Sequence, residues 1–326
     1  MVDDSNSTAL ADGYRRWAEV EARDSSPQYE SWAQAIASAP EALERIGALP
    51  IGKRQPNLVF AAARLNGAPA ATSAFVAWIL ENWSLVEATA LARATQTNEP
   101  ARCAPLLVAL SQLEGPISLI EVGASAGLCL IPDRYGYRFT HGRRTRSLGP
   151  AGDGSLVIEC AVEGTEAPAR MPDIVWRAGL DLNPVDLSDA DERSWMETLI
   201  WPEHAERRDR FRRAVDVLRE DPPVIFEGDL VTELSALVAR APTDSTVVIM
   251  HSAVFAYLDD SARAAAESVI SRLDARRVSL EGVQALPDVA ARLPSRPVGK
   301  DGDFVLALDG VPLGYAAPHG GRFVAL

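Results

Sequence analysis

Five short apolar runs in this chain each end in residues able to do polar chemistry. Ser118–Val122 carries Glu121 at its end and runs into Gly123, Ala124, Ser125 and Gly127. Ile174–Leu180 is followed by Asp181 and Asn183, and Pro223–Phe226 by Asp229. Thr246–Met250 is followed by His251 and Ser252, and Val278–Leu280 by Glu281. The carboxyl ends of parallel strands are where open α/β sheets bind nucleotide-type ligands. Asp181 has two oxygens that can each accept a ribose hydroxyl; its plain structural reading is an Asx-turn or helix cap beside Pro184. Glu159 rivals it if the strand through Leu156–Val162 follows the glycine turn in the core sheet. Asp229 can accept from an exocyclic amine, or simply cap the helix that starts near Leu230. His251 can act as general base toward a hydroxyl or amine, or hydrogen-bond a neighbouring loop. Ser252 lacks a G-x-S-x-G setting and is placed with the ligand contacts.

These residues need a sheet to bring them together. From Ile117 onward, short apolar runs alternate with helical stretches, which predicts an α/β fold with a mostly parallel sheet. Helices are expected over Asp189–Leu199, Pro202–Arg219, Leu230–Arg240 and Ser261–Asp274. A final strand, Arg322–Leu326, is expected to pair with Phe304–Leu308 across a turn-rich connection. Gly123 permits a sharp turn, and Gly127 permits close approach of backbone or ligand. A helix opening after this turn would aim free N–H groups at the ligand, with Arg134, Tyr135 and Tyr137 closing it. Arg134, Tyr135 and Tyr257 are then candidate substrate contacts. A long insertion, about 135–171, separates the first strand from Ile174; its Thr140–Arg146 segment is a basic patch, within which Gly142–Arg146 reads as a solvated loop rather than a nucleic-acid contact.

Residues 1–115 read as a helical region and 116–326 as the sheet-bearing region. A first helix is expected over Ala9–Ala22, with Tyr14, Trp17 and Val20 on one face. Ser26-Pro27 signals the start of a second, carrying Tyr29, Trp32 and Ile36. Leu49–Leu58 is a polar break between helices.

The totals narrow the function classes. The chain has 326 residues, enough for a sizeable core, and a formal net charge of −13, which disfavours a nucleic-acid partner. The only lysines are Lys53 and Lys300. Cys103, Cys129 and Cys160 are widely spaced, predicting buried apolar thiols, no metal site and a cytoplasmic setting. No apolar run is long enough to span a membrane.

Glu121-Val-Gly-Ala-Ser-Ala-Gly127 resembles the first motif of S-adenosylmethionine (SAM)-dependent methyltransferases, an acid followed by G-x-x-x-G. Across most of its length the chain also resembles a bacterial family called DUF2332. The resemblance rests on Gly52-Lys-Arg-Gln-Pro-Asn-Leu-Val-Phe60, Ile120–Leu128 with Asp133-Arg-Tyr135, Gly179-Leu-Asp-Leu-Asn-Pro184, Trp201-Pro202, His251-Ser252 and Leu308-Asp-Gly310. It implies a Rossmann-like methyltransferase-type core behind a helical region. In the matching Gly52–Phe60 stretch, Arg54, Gln55 and Asn57 are candidate contacts for a small-molecule substrate, or equally an interhelical turn. The expected activity is SAM-dependent methyl transfer, with Glu121, Gly123, Ala124, Ser125, Gly127, Asp181, Asn183, Asp229 and Ser252 around the cofactor. A non-catalytic SAM-binding or regulatory protein is the alternative. An NAD-linked enzyme is disfavoured, because Ser125 occupies the second glycine position of G-x-G-x-x-G.

Overall fold

Apolar runs of β-rich residues build a single sheet of eleven strands, in the order β3-β2-β4-β11-β10-β9-β8-β7-β1-β5-β6, in a computed structural model that describes residues 4–152, 155–295, 299–300 and 302–326. The strands are β1 (Pro116–Val122), β2 (Gly136–His141), β3 (Arg144–Leu148), β4 (Val157–Glu163), β5 (Asp173–Asp181), β6 (Ile225–Glu227), β7 (Thr246–Ser252), β8 (Arg276–Gly282), β9 (Phe304–Leu308), β10 (Val311–Ala316) and β11 (Arg322–Ala325). Strands β6, β5, β1, β7 and β8 run parallel to one another and form the central block, and β9 joins β8 antiparallel. The chain leaves β1 toward β5 on one side and reaches β7 on the other. This makes β1 the point where strand order reverses, and such a reversal opens a crevice at the carboxyl ends.

The long insertion does not enter this block. Its strands β2, β3 and β4 extend the opposite edge of the sheet, with β4 pairing parallel to β11. Gly142–Arg146, read from sequence as a loop, is a turn only at Gly142, with φ 58°, and Arg143; Arg144–Arg146 belong to β3 and pair with β2. The C-terminal pairing also differs from expectation. Strand β11 pairs with β10, and β10 with β9. Strand β10 was hidden by Pro312 and Gly314, two residues that weaken any strand signal.

The helices are α1 (Asp4–Trp17), α2 (Pro27–Ala37), α3 (Pro40–Ala48), α4 (Pro56–Leu65), α5 (Thr72–Glu81), α6 (Trp83–Ala92), α7 (Cys103–Leu110), α8 (Ala190–Thr198), α9 (Ala205–Glu220), α10 (Leu230–Val238), α11 (Asp260–Ile270) and α12 (Pro287–Ala290). Apolar residues from β1, β5, β7 and β9 pack against α10, α11 and α12; Ile120, Leu180, Ile249, Leu234 and Ile270 are among them. Helix α7, apolar all round and fully buried, packs against β4, β8 and β9.

The chain divides into two units, 1–97 with 188–209, and 98–187 with 210–326. The first is helical. Its core joins Tyr14, Tyr29, Trp32, Phe60 and Phe75 to Trp195, which arrives from the later segment. Trp32 and Phe75 stack at 3.7 Å. Ser26 caps α2 by accepting from the Tyr29 N–H, a contact worth about 1 kcal/mol. The first helix ends earlier than expected. A π-helical turn at Ala18–Ala22 shifts the phase of the chain, so Tyr14 is buried while Val20 is 71% exposed. Among the described residues, no helix is long and apolar enough to cross a membrane.

Candidate functional site

The glycine turn after β1 is built differently from the strand-turn-helix expected. No helix follows it. Residues 123–130 form successive turns, and a single 3₁₀ turn at Pro132–Arg134 leads directly into β2. Pro132 is the physical reason: it disfavours helical backbone at Ile131 and leaves Leu128–Leu130 too short to form a helix. The expected anion-binding helix N-terminus is therefore absent. Arg134 and Tyr137 close no helix. Arg134 pairs with Asp221, and Tyr137 lies buried in β2.

Side chains from distant segments hold the loop instead. Gly123, Ser125 and Gly127 all have positive φ, at 70°, 52° and 79°. The Gly123 N–H donates to Leu180 O at 2.8 Å, tying the turn to β5. Asn98 bridges the loop, accepting from the Leu128 N–H at 2.7 Å and donating to Ala124 O at 3.3 Å. Tyr135 is wholly buried and donates its hydroxyl to Leu128 O at 2.9 Å. It acts as a strut beneath the loop, out of reach of a substrate. A Cβ on Gly179 would lie 2.7 Å from the Ala124 Cβ, so β5 needs glycine where the loop closes upon it.

Asp181 ends the strand hydrogen-bonded to β1; Glu159 lies on β4 at the far side of the sheet and pairs with Arg138. The Asp181 carboxylate accepts from the Ser125 N–H at 2.7 Å and from the Asn183 N–H at 2.8 Å. It fixes the strained loop and makes an Asx-type turn at once. Asp229 caps α10, accepting from the Val231 N–H at 2.6 Å.

Glu121 is buried, and its Oε2 atom has no hydrogen-bond partner among the described residues. Burial, with Cys129 and Asp181 nearby, pushes its carboxyl well above the ordinary range, and the Arg102 guanidinium opposes the shift. Ser252 ends β7, next to β1, and its Oγ is likewise buried without a partner. Arg102 donates to Ser252 O at 3.5 Å and to Pro318 O at 2.8 Å. Two unsatisfied polar groups thus sit at neighbouring strand ends, where an unpaired buried atom costs about 1–3 kcal/mol.

His251 is fully buried and both its nitrogens are engaged. The Arg277 Nε–H can only donate, so His251 Nε2 accepts, at 2.9 Å. Nδ1 therefore carries the proton and donates to Glu281 Oε1 at 2.7 Å. Burial lowers the His251 pKa and keeps the ring neutral, against the opposing pull of Glu281. With its lone pair occupied, this histidine has no free site for a substrate proton, in contrast to the general base expected. Glu281 also accepts from the Val254 and Phe255 N–H groups at 3.0 and 3.3 Å. A chain of contacts thus runs Glu267–Arg277–His251–Glu281 to the loop after β7. Val254 of that loop packs directly over Gly123. Tyr257, just beyond, is 69% exposed. A cavity of about 650 Å³ lies elsewhere in this unit, beside α11, α12 and the β9–β10 turn, and Arg277 and Glu267 line it.

Arg54, Gln55 and Asn57 belong to the helical unit. Arg54 donates to Leu49 O at 2.8 Å, and Gln55 accepts from the Thr95 hydroxyl at 3.3 Å. Asn57 has a buried Oδ1 without a partner. Sequence reasoning missed Asn98, Arg102 and Arg277 altogether. Asn98-Glu-Pro100 carries a turn-like signal, but nothing local to it announces a contact with the glycine loop. The described residues contain no cluster of metal-ligating side chains.

A family model described as "Uncharacterized protein conserved in bacteria (DUF2332)" matches residues 11–324. The chain belongs to that family. No curated protein and no solved structure matches it.

Proposed function

We propose that this DUF2332 member binds S-adenosylmethionine at the carboxyl edge of β1, β5 and β7 and transfers its methyl group to a small molecule. The observation that carries the reading is the pair of unpartnered buried atoms, Glu121 Oε2 and Ser252 Oγ, beside a loop whose Gly123, Ser125 and Gly127 all have positive φ. The strand order β6-β5-β1-β7-β8 supports it, because both groups lie at the reversal of the sheet, the place where open α/β sheets bind nucleotide-type ligands. Glu121 and Ser252 fit a ligand bearing hydrogen-bonding groups. Each Asp181 oxygen keeps a second lone pair for ribose hydroxyls. The cofactor supplies an electrophilic methyl group. The protein's part is to orient it, to exclude water and to hold the acceptor in line, and such positioning contributes much of a transfer rate.

One observation favours the second reading, a SAM-binding protein without catalysis: the His251 lone pair is occupied by Arg277. Calorimetric titration with SAM and with S-adenosylhomocysteine tests both. Saturable binding that weakens tenfold or more in Glu121→Ala and Ser252→Ala is expected. No heat from either ligand at millimolar concentration refutes both readings. Binding without methyl transfer across a broad panel of small acceptors selects the second.

A further inference from the structure

We infer that the helical unit carries a binding site for an oxyanion, a phosphate or carboxylate group of a small molecule. This inference goes beyond the reading of the sheet edge and does not depend on it. A pocket of about 340 Å³ opens on α8, with Arg64, Arg193, Ser194, Glu197, Thr198 and Arg208 in its wall. In a chain of net charge −13, this wall holds three arginines against one glutamate.

Two of the arginines are held rigidly by neutral groups. Arg64, from α4, directs Nη1 at the Tyr29 hydroxyl (3.1 Å), Thr198 O (2.9 Å) and Ile200 O (2.9 Å), and so caps the C-terminal end of α8. Arg208, from α9, directs Nη1 at Trp201 O at 2.8 Å. Both are half-buried, and neither makes an ion pair among the described residues. The remaining edge of each guanidinium, Nε with Nη2, keeps its donors. A carboxylate or phosphate presents two oxygens that match that edge. Arg193 extends the positive wall, and the exposed Ser194 adds a hydroxyl donor. A half-buried cation without a counter-ion is costly, and an incoming anion recovers that cost. Carbonyl contacts fix Arg64 and Arg208 before a ligand arrives, so little side-chain freedom is lost on binding. The volume suits a metabolite-sized molecule.

The full-length protein titrated with inorganic phosphate and, separately, with succinate, at constant chloride, tests the inference by calorimetry and thermal shift. Saturable binding of at least one anion is expected, falling tenfold or more in Arg208→Gln and weakening with added salt. Phosphate alone marks a phosphate-bearing ligand; succinate binding marks a carboxylate. Ser194→Asp, a substitution on the exposed face of α8, introduces a negative charge into the pocket and is expected to abolish binding while leaving the fold intact. SAM titrations of both variants are expected to be unchanged. No binding of either anion at millimolar concentration, or equal binding by Ser194→Asp and the parent, overturns the inference.

Discussion

Gly123→Ala puts the construction of the strand-end loop to a quantitative test. Gly123 has φ 70°, a conformation that costs an alanine about 1–2 kcal/mol. A Cβ there would also stand 2.3 Å from Val254 Cγ2. Val254 is β-branched, and its N–H is pinned by Glu281, so it cannot turn away cheaply. Overpacking of this kind costs about 1–3 kcal/mol. The two terms together predict a loss of about 2–5 kcal/mol. They are separable by a double-mutant cycle: Val254→Ala in the Gly123→Ala background removes the collision and leaves the backbone strain. The assay must report on the right unit. Trp17, Trp32, Trp78, Trp83, Trp195 and Trp201 all lie in the helical unit, and only Trp176 lies in the α/β unit, so intrinsic fluorescence follows mainly the former. Hydrogen exchange of β1 and β7 peptides, with calorimetry for the global transition, reads the latter. A loss below about 1 kcal/mol, or one that Val254→Ala does not reduce, refutes the account of this loop.

Opposite pH dependences are expected from His251 and Glu121. Burial lowers the His251 pKa below its ordinary 6.5, so the unfolded chain binds more protons as pH falls below that value, and stability is lost. In a pH series of urea midpoints, His251→Gln should lack this acid limb. Glu121 is raised well above its ordinary 4.5, so its cost grows as pH rises from there; Glu121→Gln should gain progressively on the parent as pH rises above that value in the same series. Asp181→Asn keeps one carbonyl oxygen for two backbone N–H groups. It should cost about 1–2 kcal/mol, discounted for partial exposure, and speed exchange at Ser125. Trp195→Ala should cost the helical unit about 3–5 kcal/mol, read by fluorescence-detected urea unfolding.

The features legible in the sequence were those set by local pattern. The apolar runs at Ile174–Leu180 and Phe304–Leu308 became strands, Ser26-Pro27 started a helix, and Asp229 capped one. The strand ends that gather Glu121, Asp181, His251 and Ser252 follow from alternating runs whose parallel pairing any α/β sheet requires. What stayed hidden depends on partners far along the chain. Asn98 clamps Leu128 through a contact that no local spacing encodes. The lone pair of His251 is taken by Arg277, a residue that reads as an ordinary charge at the start of a strand. The glycine motif suggested a helix because such turns commonly open one, and Pro132 alone argued against it.

The helical unit is assembled from two stretches of chain, and synthesis delivers them far apart. Residues 1–97 leave the ribosome with Trp32, Phe60 and Phe75 already in hand, but without Trp195 or the carbonyls of Thr198 and Ile200 that Arg64 binds. Until residues 188–209 have emerged, that core lacks both Trp195 and Trp201, which packs beside Trp17 and Tyr29, and its aromatic surface is open to other chains. The nascent protein must therefore keep its first unit unfinished while the strands β1 to β5 are made. A ribosome-bound chain stopped after Gly115 is expected to recruit chaperones or aggregate, and one stopped well past Glu220 to resist proteolysis over residues 27–92.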